Sequence, residues 1–157
     1  MRIFRNILVA LMFVASAPAF AESPRIIGNL GQQLRLNAPE GYLRITGNPY
    51  FWKLQPVLGL SVASNGSAWL GAGSSVTFRA QDEGAFVRIG SMAGIHQRGS
   101  GRDLGGPIQF RTSIDLGVAR RDGVEFGIGI DHRSSASIYR PNPGLETAYV
   151  FVSMPLR

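Results

Sequence analysis

Residues 108–119 read IQFRTSIDLGVA. Ile108, Phe110, Thr112, Ile114, Leu116 and Val118 share one parity, and Gln109, Arg111, Ser113, Asp115, Gly117 and Ala119 share the other. Successive side chains of an extended chain point to opposite faces, so the stretch is a strand with one apolar and one polar face. The alternation runs well past the roughly 5–6 residues usual for a strand in a soluble protein.

The same period recurs outward from this stretch in both directions. Leu54, Pro56, Leu58, Leu60 and Val62 oppose Lys53, Gln55, Gly59 and Ser61; Leu70, Ala72, Val76 and Phe78 oppose Trp69, Gly71, Gly73, Thr77 and Arg79. Ala85, Val87, Ile89, Ala93 and Ile95 oppose Phe86, Arg88, Gly90 and Met92, and Val124, Phe126, Ile128 and Ile130 oppose Glu125, Gly127, Gly129 and Asp131. A last strand over Leu145 to Leu156 carries Ala148, Val150, Val152, Met154 and Leu156 on one face. Two weaker strands precede these, near Ile26–Leu36 and Tyr42–Thr46, with Pro49 and Pro56 obscuring the register. About eight strands result.

The polar parity decides where the apolar one points. It is crowded with glycine and serine and carries Arg88, Arg111, Asp115 and Glu125. A soluble cup of the lipocalin kind needs bulkier apolar residues on its inner face. A narrow eight-stranded barrel instead buries a paired polar interior and turns its apolar side to lipid. The strands also have the length that a tilted transmembrane strand needs. The expectation is therefore an all-β, eight-stranded antiparallel transmembrane barrel of the outer membrane. Eight strands leave a filled interior, which argues against a passive pore.

Connections give the sidedness. Gln81-Asp82-Glu83-Gly84 and Arg120-Arg121-Asp122-Gly123 read as tight turns, the short periplasmic kind. The longer stretches Gln97–Gly106 and Ser135–Gly144 then face outside. Tyr42, Tyr50, Phe51 and Trp52 are read as an interfacial aromatic girdle.

The first residues agree with export. Met1 to Ala21 has Arg2 and Arg5 at its start, an apolar middle from Ile7 to Phe13, and Ala19-Phe20-Ala21 at the cleavage positions. It reads as a secretory signal peptide, leaving one domain over residues 22–157. Removing Arg2 and Arg5 takes the formal charge from +6 to +4. In an exported chain that mild excess suits phosphorylated lipid headgroups and not nucleic acid. The chain has no cysteine, which excludes disulfides and thiolate chemistry. No cofactor is implied. The only two histidines, His96 and His132, lack partners for a metal site. The sequence leaves room for a homodimer without specifying one.

Chemistry concentrates in the last hairpin. Beyond Ile130 the next residues of lipid-facing parity are His132 and Ser134, two apart on one face with side chains expected close enough for a hydrogen bond, and Glu146 shares the outward parity of Ala148 and Val150. A loop centred near Tyr139 sets His132 opposite Glu146 across the two strands. Serine becomes nucleophilic when an imidazole takes its proton, and a carboxylate behind the imidazole fixes its tautomer. Backbone N–H groups over Ser134 to Ala136, or the Asn142 amide, are the candidate oxyanion donors. Taken singly, His132 and Ser134 also fit ordinary interfacial strand positions. Arg98, Arg102, Arg133 and Arg140 are placed at the outer rim, where they suit lipid phosphates or simply a solvated edge. His96 is placed inward, as a lumen or loop residue.

The stretch His132-Arg133-Ser134-Ser135-Ala136-Ser137-Ile138, followed by Pro141-Asn142-Pro143-Gly144-Leu145-Glu146, resembles the outer-membrane lipid A 3-O-deacylases of the PagL type. The resemblance implies a carboxylic ester hydrolase acting on lipid A of lipopolysaccharide. His132 would be the base, Ser134 the nucleophile and Glu146 the third member. Ser135 stands where the family places an oxyanion-supporting residue; Asn142 is a supporting oxyanion donor by its amide chemistry, and Arg133 and Arg140 suit substrate phosphates by theirs. The family has Asn directly after the nucleophile where this chain has Ser135. That departure motivates a competing reading, a non-catalytic structural or adhesive barrel descended from such an enzyme.

Overall fold

The computed structural model describes residues 22–80 and 84–156. The proposed signal segment and the Gln81–Glu83 part of one proposed turn lie outside the described residues. The described residues form eight strands: β1 (Arg25–Gln33), β2 (Ala38–Thr46), β3 (Gln55–Ala63), β4 (Ala68–Arg79), β5 (Ala85–Gln97), β6 (Ile108–Ala119), β7 (Glu125–Ser134) and β8 (Leu145–Pro155). Each pairs antiparallel with the next, and β1 pairs with β8 to close the barrel. Closure removes every free strand edge, which a membrane demands because lipid cannot satisfy backbone polar groups.

The weak second strand begins at Ala38, four residues before the sequence pattern shows it. Pro39 hides it. In the barrel Pro39 sits near the strand's end and points outward, a position where a missing donor is tolerated.

The apolar parity faces out along every strand, exposing Leu30, Leu43, Leu58, Leu70, Ile114, Ile128 and Val150. Such a continuous belt far exceeds the apolar patches of soluble proteins. Hydrocarbon is the solvent that makes it stable.

The inward parity builds ion-paired layers. Toward the termini, Arg88 donates to Glu125 at 2.6 Å and Arg25 lies 3.2 Å from the same carboxylate. At mid-barrel, Arg44 and the Tyr149 hydroxyl donate to Asp115 at 2.9 and 2.6 Å. Toward the opposite end, Arg111 donates to Glu40 and Asp131, each at 2.6 Å, and Arg133 donates to Glu40 at 2.9 Å. Buried charges persist only when paired in this way.

Aromatic rings fill the remaining lumen. Trp69 meets Tyr42 edge-on with centroids 6.2 Å apart, and the Arg111 guanidinium lies 3.7 Å above the Tyr42 ring. Gly71, two residues along on the same face, must lack a Cβ because one would overlap the Trp69 indole. Tyr42 is therefore a lumen residue and not part of an interfacial girdle: its parity matches Glu40 and Arg44, which face inward. Tyr50, Phe51 and Trp52 do stand exposed, in the β2–β3 connection on the side of the termini.

Candidate active site

Alternation along β7 turns Ile128, Ile130 and His132 outward and Asp131 and Arg133 inward. Antiparallel register then pairs His132 with Glu146 of β8. His132 Nδ1 lies 3.2 Å from Glu146 Oε1, on the outside of the barrel and at the end away from the termini. A carboxylate on Nδ1 holds the proton there and leaves the lone pair on Nε2.

Ser134 closes β7 two residues further on, in register with Phe110 of β6. Same-face neighbours of a strand lie about 6.5–7 Å apart along the chain. Contrary to the expectation from their shared face, no hydrogen bond joins the Ser134 hydroxyl to His132 among the described residues. Register thus brings His132 and Glu146 together, while Ser134 shares their face one pleat away. Catalytic hydrogen bonds often tighten only when substrate is bound.

Beyond Ser134 the chain leaves the sheet through left-handed residues, Ala136 at φ 49° and Ser137 at φ 66°. It rejoins at Gly144, φ 68°. A Cβ on Gly144 would sit 2.6 Å from His132 Cε1, so the bare backbone there is the floor against which the imidazole rests.

One loop side chain differs from expectation. Ser135 follows an outward residue and so turns inward. It is fully buried, its hydroxyl donates to the Tyr139 carbonyl at 3.4 Å, and it is not placed to meet an oxyanion on the outer face. Its backbone N–H donates to Asn142 Oδ1 at 3.0 Å. That bond fixes the Asn142 amide and leaves its NH2 group as the donor available to another acceptor.

Arg133, expected at the outer rim, faces the lumen instead. It is only 1% exposed and is spent on Glu40 inside the barrel, because its parity opposes that of His132 and Ser134. It is not at the rim. Arg140 is exposed in the last loop, and Arg98 is paired with Asp103 at 3.3 Å. His96 is buried with Nδ1 3.1 Å from the Ala68 carbonyl, as its inward parity requires.

One further residue stands beside the site. Arg35, in the β1–β2 connection, places Nε 3.4 Å from Glu146 Oε2. Local periodicity carries no sign of it, because the approach exists only once β1 closes on β8.

A closed antiparallel barrel with an apolar outside, a salt-bridged inside and no free edge is the architecture of outer-membrane barrels. The chain belongs to the lipid A 3-O-deacylase (PagL) family, whose profile matches residues 37–155. Its fold is similar to that in a crystal structure of the outer membrane enzyme PagL, with TM-score 0.69, 18% identity, 84% of this chain covered and 99% of that one. A de novo designed transmembrane β-barrel matches with TM-score 0.60 and 7% identity, covering 85% of this chain and 95% of the design. Neisserial surface protein A matches with TM-score 0.53 and 9% identity, again covering 85% and 95%. These structures establish the fold. No curated protein sequence matches the chain.

Proposed function

We propose that this barrel is an outer-membrane serine esterase that removes an ester-linked acyl chain from lipid A, at the 3-O position that the family description names. The observation that carries the reading is the His132–Glu146 hydrogen bond on the lipid-facing surface, one pleat from Ser134. A bilayer substrate reaches that surface without leaving the membrane.

The chemistry runs in two halves. Ser134 Oγ attacks the ester carbonyl carbon while His132 Nε2 takes its proton, and Glu146 stabilises the imidazolium. The Asn142 NH2 group donates to the developing oxyanion. Collapse breaks the ester bond, and the sugar oxygen leaves with the proton from His132. Water activated by His132 then hydrolyses the acyl-Ser134 bond and releases the fatty acid. Arg140, exposed on the last loop, suits a lipid A phosphate. Export with removal of residues 1–21 completes the proposal.

Mass spectrometry of lipid A from cells lacking other deacylases tests it. Cells expressing the wild-type chain lose the mass of one acyl chain, and cells expressing Ser134→Ala do not. Identical spectra with both barrels folded in the membrane would overturn the enzymatic reading.

A further inference from the structure

The Glu146 carboxylate has two oxygens, and each faces a different part of the barrel. Oε1 meets His132 Nδ1 at 3.2 Å and Oε2 meets Arg35 Nε at 3.4 Å. The loop bearing Arg35 is tied to the same residue by its backbone: the Leu34 N–H donates to the Glu146 carbonyl at 2.9 Å. The loop is also braced across itself, by Gln32 Nε2 donating to Asn37 Oδ1 at 2.8 Å and by the Leu36 N–H donating to the Gln33 carbonyl at 3.3 Å. At its base, buried Gln33 donates to Glu40 at 2.8 Å. Arg35 is therefore delivered to Glu146 by an anchored segment.

The charge balance gives the contact a purpose. Neutral imidazole and carboxylate together leave one negative charge on a lipid-facing surface, where an unpaired charge is costly. The same charge would oppose an oxyanion forming beside it. The neighbouring Arg133 cannot compensate, because it points into the lumen and is held by Glu40. Among the described residues Arg35 is the cation paired with Glu146. Arg35 is 61% exposed, so the value of the pair lies chiefly in orienting and neutralising the carboxylate, not in burying it.

We propose that Arg35 is a positioning residue of the active site, acting through Glu146: it turns the carboxylate so that Oε1 addresses His132 and cancels its charge at the membrane surface. The proposal rests on the reading of Ser134 as a nucleophile activated by His132.

The test uses the purified full-length barrel in detergent and an uncharged p-nitrophenyl phosphonate diester, which has neither sugar nor phosphate for an arginine to bind. Ser134 Oγ bonds to phosphorus, p-nitrophenolate leaves, and the hydroxyl proton passes to His132. Arg35→Ala should slow this modification about tenfold or more, as misplacement of a catalytic group does. Arg35→Lys should recover part of the rate, and heat-modifiable gel migration should stay that of the folded barrel. On lipid A, the loss should fall in kcat and leave KM nearly unchanged. Labelling of Arg35→Ala at the wild-type rate would overturn the proposal and make any loss on lipid A a headgroup contact. Should Arg35→Ala fail to fold, Arg35→Gln carries the same comparison. Wild-type protein that is not labelled at Ser134 would instead sink the nucleophile assignment, and the role of Arg35 with it.

Discussion

His132 and Glu146 face each other across the last hairpin, Nδ1 to Oε1 at 3.2 Å, in direct antiparallel register on the outer face of the barrel. If the carboxylate fixes the imidazole tautomer, Glu146→Ala should lower kcat for lipid A deacylation by about 10³–10⁴-fold. The barrel should remain folded, since Glu146 takes no part in the lumen network. Steady-state deacylation in mixed micelles, with gel mobility as the folding control, checks both halves.

Asn142 presents its amide NH2 because its carbonyl oxygen is held by the Ser135 N–H. Asn142→Asp keeps an acceptor for that N–H and removes the donors. It should cost about 10²–10³ in kcat, the usual loss for one oxyanion donor. Ser135→Ala should leave kcat near the wild-type value, because that hydroxyl is buried against the Tyr139 carbonyl. Equal losses in the two variants would contradict the division of labour between them.

Gly144 holds a left-handed backbone beneath the His132 ring. Gly144→Ala puts a methyl group 2.6 Å from Cε1, so the ring must move or the hairpin must open. An activity loss of roughly 10²-fold is expected from displacement of the base. Phosphonate labelling of Ser134 in the variant reads the displacement without a lipid substrate.

Glu40 accepts from Arg111, Arg133 and Gln33 inside the barrel. Glu40→Ala leaves two buried guanidinium groups short of a counter-charge and should destabilise the barrel by about 3–5 kcal/mol. Urea unfolding in bilayers or detergent, followed by tryptophan fluorescence, measures it. A change near zero would mean that lumen water or rearrangement replaces the carboxylate.

Ile128 faces outward at the middle of β7 and is 60% exposed. Ile128→Arg should cost about 2–4 kcal/mol if hydrocarbon bathes that position. Arg120→Ala, in the short β6–β7 turn, should change stability by less than about 0.5 kcal/mol. The contrast is read in the same unfolding assay. Similar small effects at both positions would deny the membrane belt.

Much of this molecule is local in its causes. Alternation fixes which side of a strand each residue takes, so the outward set from Leu58 to Val152 and the inward set from Arg88 to Glu125 follow from parity alone. The hairpin length then fixes the register, and with it the meeting of His132 and Glu146. Where the period was interrupted, as by Pro39 in β2, the strand's start was hidden although its residues still paired.

Where alternation is unbroken, residue order alone sets the strand faces, and the length of the last hairpin sets its pairing, because each depends on neighbours along the chain or across one turn. Packing of the closed barrel settles that Arg133 answers Glu40 and not a lipid phosphate, that Tyr42 lies beneath Arg111, that Ser135 serves its own loop, and that Arg35 reaches Glu146. The cross-barrel contacts among these depend on how far each side chain extends into a lumen whose width is set by all eight strands. The approach of Arg35 depends on β1 meeting β8, a closure that no local pattern encodes.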